Sequence, residues 1–193
     1  MKLSVSIMAH PSRAQYVEGL KNILGDVPVA VDTGDGIWRN RVAASQMYEP
    51  TAEYHLVLQD DAILCNDFMK KAVDVIDKRR GDAISFYFGK RGVRIVGDRE
   101  EEIKKNGGLV WNWLGWGVAI CLPVKIIPGL IRFCDAMTRY ARHDDTRMSH
   151  YLRKISMNIF YPVPSLVDHR TDAKSIMENS EGGHARTAWR FEG

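Results

Sequence analysis

Short apolar runs alternate with longer amphipathic segments along the first half of the chain, and this alternation restricts the fold more than any other feature of the sequence. The apolar runs predict β-strands at residues 3–8, 27–31, 55–59 and 83–88. The amphipathic segments between them predict helices at residues 12–24, 38–48 and 66–80. Strand–helix–strand units with short links form mostly parallel sheets with helices on both faces. The sequence therefore predicts an α/β fold with a Rossmann-like, mostly parallel central sheet flanked by helices.

The length and composition fit a single globular domain. The chain has 193 residues, of which 45% are hydrophobic and 26% are charged. Its net charge of +3 is too small to indicate a nucleic-acid partner by itself, although it does not exclude one. The three cysteines show no metal-ligand spacing, and no run of about 18 apolar residues occurs. We therefore expect reduced thiols and a cytoplasmic protein without a membrane span.

A long polar and charged stretch, residues 89–108, separates the two halves of the chain. Loops of that length in a compact domain are usually lids, binding loops or disordered segments, so we predict a mobile loop or a hairpin here. Beyond it the pattern predicts one or two strands within 111–123, helices near 124–140 and 146–155, a strand at 158–161 and an irregular tail.

Two adjacent carboxylates, Asp60 and Asp61, end the third predicted strand in the stretch YHLVLQDDAIL, with no basic residue beside them. Asp32 follows the second predicted strand, so all three acids should lie at the same edge of a parallel sheet. A buried acidic pair needs a cation, and Mn²⁺ or Mg²⁺ is the economical one. The alternative is structural: Asp60 caps a turn and Asp61 faces water.

This stretch resembles the region around the DxD motif of GT-A-fold glycosyltransferases, in which a hydrophobic strand ends in an acidic triplet followed by a small residue. The triplet here is Gln59-Asp60-Asp61, followed by Ala62, so glutamine replaces the first acid. The resemblance implies that Asp61 binds the metal ion and that Asp60 contacts the ribose or the donor sugar.

Three further segments match the family in chain order. SVSIMAHPSR resembles the first strand and the loop that holds the nucleotide, which implies that His10 and Arg13 face the nucleotide, although His10 also reads as a turn residue. VAVDTGDG and GIWRN resemble the second strand and the helix start beside the nucleotide. This resemblance implies that Asp32 contacts the uracil or ribose and that Arg39 and Asn40 lie beside the nucleotide.

The second half of the chain carries two more matches. PSLVDHRTDAKSI resembles a late motif of small GT-A enzymes, which implies that His169 is a distal metal ligand and that Ser175 lies near the diphosphate. The acidic pair Asp144-Asp145 opens a predicted helix, as the catalytic acids do in inverting members of the family. The resemblance makes Asp145 the base and Asp144 its acidic neighbour. The alternative is a helix cap with an acid that favours the helix dipole.

Three tryptophans, Trp111, Trp113 and Trp116, stand close together in WNWLGWG. If this segment is a strand, Trp111 and Trp113 share one of its faces, and indole rings stack well on sugars and bases. We therefore place the three in the donor or acceptor pocket, with burial in the core as the alternative.

Together the motifs imply one GT-A domain, with a nucleotide-binding half at 1–88 and an acceptor and catalytic half at 109–193. The implied reaction moves a sugar from a nucleotide-sugar donor, most simply a UDP-sugar, to a hydroxyl acceptor with inversion, using Mn²⁺ or Mg²⁺. A modified DNA base is one acceptor to consider. Two alternatives stay open: a metal-dependent phosphoesterase or nuclease, and a non-catalytic module that binds nucleotide-sugars.

Overall fold

A computed structural model describes residues 1–90, 92, 97, 99–137, 143–173 and 186–193 of the chain. The strands in this part are β1 Leu3–Ala9, β2 Val29–Val31, β3 Tyr54–Gln59, β4 Ala62–Leu64, β5 Ala83–Ser85, β6 Gly108–Trp111, β7 Ala119–Pro123, β8 Ile159–Pro162 and β9 Val167–His169. The helices in this part are α1 Ala14–Leu24, α2 Ile37–Ser45, α3 Phe68–Lys78, α4 Glu100–Asn106, α5 Ile127–Asp135 and α6 Asp144–Lys154.

The main sheet of the described residues has the strand order β2-β1-β3-β7-β5-β8-β6. Strands β1, β2, β3, β5 and β8 run in one direction, whereas β7 and β6 run in the other. Helices cover both faces of this sheet, so the predicted α/β fold with a mostly parallel central sheet is confirmed. The antiparallel strand β7 lies between β3 and β5, and it brings the start of the second half of the chain into the middle of the sheet.

Alternating side chains of the strands build a separate apolar layer on each face. On one face, Ile7 and Leu58 pack in a core cluster with residues of α1 and α3, such as Leu20 and Phe68. On the other face, the side chains lie beneath α2, α5 and α6, and the clusters there include Leu122. Hydrogen bonds also attach α2 to the sheet, because the Oγ of Ser6 donates to the carbonyl of Ala44 at 2.9 Å.

A second, two-stranded sheet forms beside the main one. Strand β4 follows directly after the Asp60-Asp61 pair and runs antiparallel to β9, with Ala62 opposite His169. Strands this short leave no periodic pattern in the sequence, and neither was predicted. Their pairing fixes His169 next to the acidic pair.

The structure changes several predicted boundaries. The stretch 89–108, which we predicted as a mobile loop or hairpin, contains α4 and the first residue of β6. Helix α1 begins at Ala14 rather than at Ser12, because Pro11–Arg13 form a 3-10 turn that the ring of His10 caps. Residues 186–193 of the predicted irregular tail are attached to the body, since Gly89 bridges to Ala188 and Ser165 to Phe191.

Two other sequence-based expectations can be compared with the structure. The three cysteines are buried free thiols, as predicted. In the described residues, every helix is too short or too polar to cross a membrane.

Gly108 and Gly19 make a matched pair of glycines for testing the packing of β6. A Cβ atom at Gly108 would overlap the carbonyl oxygen of Tyr161 and lie 2.6 Å from the Phe160 ring, whereas one at Gly19 on the exposed side of α1 would meet open space. We expect Gly108→Ala to lower the free energy of unfolding by about 2 kcal/mol or more. Gly19→Ala should raise it by about 0.5–1 kcal/mol. Urea denaturation measures both, and an unchanged midpoint for Gly108→Ala would contradict the packing of β6 against β8.

Candidate active site

The carboxyl ends of β1, β2 and β3 meet at one edge of the main sheet. Ala9 is in register with Val31, and Met8 is in register with Gln59. The amide of Asp32 donates to the carbonyl of Ala9 at 2.8 Å, and the amide of Asp60 donates to that of Met8 at 3.0 Å. The predicted shared edge for Asp32 and the acidic pair is therefore correct.

The acidic pair is buried, and Arg13 forms ion pairs with both of its members. Asp60 is 3% exposed and Asp61 is 2% exposed. The Nη1 of Arg13 donates to Asp60 Oδ1 at 2.9 Å and to Asp61 Oδ2 at 2.6 Å. The pair therefore has a basic partner after all, supplied from 47 residues before Asp60 in the chain. Arg13, predicted to face the nucleotide, bonds to the carboxylates.

The loop before Arg13 completes the surroundings of Asp60. The backbone amide of His10 donates to Asp60 Oδ2 at 2.7 Å, so both oxygens of Asp60 accept hydrogen bonds. The ring of His10 accepts from the amide of Ser12 at 3.2 Å, which makes it the turn residue of our alternative interpretation. Burial raises the pKa of Asp60, and these hydrogen bonds only partly oppose that effect.

His169 lies against the second carboxylate. Its Nε2 is 3.2 Å from Asp61 Oδ2, and its Nδ1 is 2.8 Å from the carbonyl oxygen of Arg170. Because a carbonyl only accepts, the Nδ1–H of the ring donates to it, and Nε2 is the ring nitrogen that faces Asp61. Burial alone would raise the pKa of Asp61, but His169 and Arg13 lower it overall.

The residues present fit a divalent metal ion with few protein ligands. Asp61 Oδ1 is buried and has no hydrogen-bond partner in the described part of the chain. A carboxylate oxygen beside an imidazole nitrogen suits Mn²⁺, and Mg²⁺ accepts one or two carboxylates with substrate or water. No cluster of three or more His, Cys, Asp or Glu side chains that could bind a metal occurs among the described residues. Within the described part of the chain, the ligands of a metal ion here would therefore be Asp61 and His169.

Only some of the residues predicted to contact the nucleotide lie at this edge of the sheet. Asn40 is 8% exposed; its Nδ2 donates to the carbonyl of Ala9 at 3.0 Å, and its Oδ1 has no partner in the described residues. The half-buried Asp32 accepts from the amide of Gly34 at 2.9 Å. Arg39 instead pairs with Asp135 of α5 at 2.9 Å. Ser175 lies outside the described residues.

The second acidic pair begins α6, and its two members have different surroundings. Asp144 is 4% exposed and accepts from the Nε of Arg41 at 2.7 Å. Asp145 Oδ1 accepts from the amide of Thr146 at 2.6 Å. Burial, and next to it the charge of Asp144, raises the pKa of Asp145 to about 6. Asp144 is therefore held by an ion pair, whereas Asp145 has the pKa of a proton acceptor that works near neutral pH.

Gly117, just before β7, lies between the end of β3 and the start of α6. A Cβ atom on this glycine would lie 2.8 Å from Arg41 Nη2, 3.1 Å from Asp144 Oδ2 and 3.2 Å from Gln59 Nε2. Gln59 immediately precedes Asp60, so the end of β3 and the start of α6 approach each other across this position. Only a residue without a side chain leaves room for these three groups.

The place of Arg41 in the site was not predicted from the sequence. It is 1% exposed, and besides Asp144 it bonds to the carbonyl of Gly117 through Nη2 at 2.5 Å. The helical spacing did contain a clue, because Arg41 shares a face of α2 with the buried residues Trp38, Ala44 and Ser45. An arginine on the buried face of a helix needs an acidic partner elsewhere in the fold.

The three tryptophans mainly pack against other aromatic rings. Trp116 packs edge-on against the rings of Tyr87 and Phe88, with centroids 5.6 and 5.7 Å apart. Strand β6 ends at Trp111, so Trp111 and Trp113 are not alternate residues of one strand, and the prediction of a shared strand face is wrong. Trp113 contacts the ring of His150 edge-on. All three are partly exposed.

Arg41 and Arg39 provide a matched test of the ion pair, since both lie on α2. Arg41→Met leaves Asp144 as a buried charge without its partner, which should lower the free energy of unfolding by about 3–5 kcal/mol. Arg39→Met breaks an exposed pair and should cost less than about 1 kcal/mol. Chemical denaturation measures both, and similar losses in the two variants would contradict the assigned ion pair.

Searches with the sequence found neither a matching family model nor a matching curated protein. Among solved structures, A197 from STIV has a TM-score of 0.50 at 14% identity, with 94% of this chain and 96% of that chain covered. Drosophila beta-1,4-galactosyltransferase 7 in complex with manganese, UDP-Gal and xylobiose has a TM-score of 0.47 at 8% identity, with 95% and 83% covered.

A third structure is a Bacillus anthracis protein described as a glucose-1-phosphate thymidylyltransferase, in complex with a sucrose. Its TM-score is 0.47 at 12% identity, with 86% of this chain and 89% of that chain covered. The two TM-scores of 0.47 support no conclusion about activity. The likeness to A197 concerns the fold alone. The chain thus has the α/β fold with a mostly parallel central sheet that its pattern predicts, and it shares that fold with A197 from STIV.

Proposed function

We propose that the protein is a metal-dependent glycosyltransferase that moves a sugar from a UDP-sugar to a hydroxyl acceptor with inversion. The observation that carries the proposal is the presence of two different acidic sites, one at the end of β3 and one at the start of α6, which approach each other at Gly117. One site has a buried carboxylate oxygen without a partner in the described residues, beside an imidazole nitrogen. The other has a carboxyl group, that of Asp145, with its pKa raised to about 6. Sugar transfer from a nucleotide needs a cation at the diphosphate and a base at the acceptor.

The donor would bind at the carboxyl ends of β1 and β2. Asn40 Oδ1 is a buried acceptor atom without a partner in the described residues, and Asp32 lies at the same strand ends. Such acceptors suit the N–H of a uracil or the hydroxyl groups of a ribose. Asp60 has both oxygens engaged by Arg13 and His10, so we assign it the positioning of that loop rather than a direct sugar contact.

Asp61 and His169 would hold Mn²⁺ or Mg²⁺. A divalent ion bound there supplies charge stabilisation for the nucleotide diphosphate as it leaves the sugar. The rest of the chemistry belongs to Asp145, which accepts the proton of the acceptor hydroxyl as that oxygen attacks the sugar. The amide of Thr146 orients the Asp145 carboxylate, and Arg41 balances the charge of Asp144 beside it.

Fewer observations indicate which molecule carries the acceptor hydroxyl group. A modified DNA base stays a sequence-based prediction, because two of the basic residues that could contact a phosphate backbone are engaged within the protein. Arg79 lies over the ring of Phe160, and Arg80 pairs with Asp77. The cytoplasmic location likewise stays a prediction.

The two alternatives have less support. Phosphoesterases and nucleases commonly use two metal ions about 4 Å apart and therefore need several acidic or histidine ligands, which the described residues do not gather. A module that only binds nucleotide-sugars would have no use for a base with the raised pKa of Asp145. A titration of UDP and an assay of UDP release from UDP-sugars distinguish all three functions.

The donor site can be tested by calorimetric titration of UDP with and without Mn²⁺. We expect Mn²⁺ to tighten UDP binding by about tenfold or more, since the ion neutralises the diphosphate. Asp61→Ala should abolish this enhancement. The exposed Asp172, three positions beyond His169, gives the control variant Asp172→Ala, which should keep it. Equal UDP affinities with and without Mn²⁺ in the wild type would exclude the assigned metal site.

The base can be tested by UDP release from a panel of UDP-sugars with hydroxyl acceptors. Asp145→Asn should lower turnover by about 10²- to 10⁴-fold and leave UDP binding intact. Because Asp145 accepts a proton only when ionised, wild-type kcat/KM should be constant above its pKa of about 6 and fall tenfold per unit below it. Full activity of Asp145→Asn, or a rate that rises as the solution is acidified, would remove Asp145 from this role.

A further inference from the structure

Arg13 contacts the acidic pair through a single nitrogen. Its Nη1 bonds to one oxygen of each carboxylate, and Arg13 itself is 7% exposed. The group therefore contains two negative charges and one positive charge in a place that water hardly reaches. Charges in such an environment interact strongly, so the position of the guanidinium affects any further cation that approaches.

The guanidinium and His169 share one oxygen of Asp61. Oδ2 accepts the hydrogen bond from Arg13 and faces the Nε2 of His169, whereas Oδ1 has no partner in the described residues. A divalent ion held by Asp61 and His169 would thus bind to a carboxylate that already carries a cation. The two cations repel each other, and this repulsion opposes metal binding.

We propose that Arg13 is a resident counter-cation that restricts metal binding at Asp61. In the free protein it offsets one of the two carboxylate charges and keeps the affinity for a divalent ion alone low. A divalent ion then binds firmly only together with an anionic diphosphate. This inference rests on the proposed function, because it takes Asp61 and His169 to be the metal ligands.

The charge balance explains the expected coupling between the ion and the diphosphate. Asp60, Asp61 and Arg13 sum to −1, and a divalent ion changes the sum to +1. A diphosphate removes that excess, so each ligand strengthens the binding of the other by the same factor. The backbone of the Arg13 loop stays in place through the hydrogen bond from His10 to Asp60, which does not involve the guanidinium.

The test compares proteins that have the same net charge at the site. Arg13→Gln alone would leave two buried carboxylates without a counter-ion and could prevent folding. The double variant Arg13→Gln/Asp60→Asn removes one charge of each sign, so its sum stays at −1, as in the wild type. The carboxamide that this variant carries at position 60 still offers an oxygen to the backbone amide of His10. The single variant Asp60→Asn, with a sum of zero, is the second reference.

Mn²⁺ alone is titrated into each protein and followed by calorimetry or by the electron paramagnetic resonance of free Mn²⁺. We expect the double variant to bind Mn²⁺ at least about tenfold more tightly than the wild type, and Asp60→Asn to bind it most weakly. Adding His169→Ala to the double variant should remove the gain. Equal or weaker binding by the folded double variant would overturn the proposal.

UDP provides a second measurement. UDP should enhance Mn²⁺ affinity by a larger factor in the wild type than in the double variant, because only the wild type has the opposing guanidinium. An equal factor in both would overturn the role of Arg13 while the metal site stands. Absence of Mn²⁺ binding in every protein, with or without UDP, would overturn the metal site itself and this proposal with it.

Discussion

The buried ion pair between Arg41 and Asp144 is the interaction on which the geometry of the site depends. It joins two helices through residues that are 103 positions apart in the chain, and it lies where neither charge can be satisfied by water. The same guanidinium bonds to the carbonyl of Gly117, and the Nε2 of Gln59 lies close to the same glycine. One arginine therefore holds the start of α6 against the residues just before β7, beside the end of β3.

The two acidic pairs show how the same dipeptide acquires different chemistry from its surroundings. Asp60 and Asp61 share one arginine, and their pKa values move in opposite directions, because only Asp61 also has His169 beside it. In the Asp144-Asp145 pair the arginine bonds to the first member only, and the second is left with a raised pKa. The two pairs differ in how many cations contact them and in which carboxylate oxygens those cations contact. These differences leave one carboxylate suited to a metal ion and another suited to a proton.

The sequence predicted the strand ends well and the ion pairs poorly. Asp32 and Asp60 were placed at one edge because parallel strands linked by helices must bring their carboxyl ends together, which is a local rule. The partners of Arg13 and Arg41 depend on contacts between distant segments, which no pattern in one sequence reveals. Helix α4 is a different case: its acidic first turn, basic last turn and terminal Gly107 are ordinary helix signals, which the overall polarity of residues 89–108 obscured.

Strand β7 runs antiparallel to both of its neighbours, β3 and β5. Because β7 starts at the carboxyl end of β3, Gly117 just ahead of it lies at that edge, whereas Trp111 is paired with Ile159 at the opposite edge of the sheet. In the glycosyltransferase that we propose, substitutions in the connection between β6 and β7 would alter the acceptor side while β1, β2 and β3 keep their register. Under that proposal one acceptor could replace another without a change in the donor site, with Gly117 as the position least free to change.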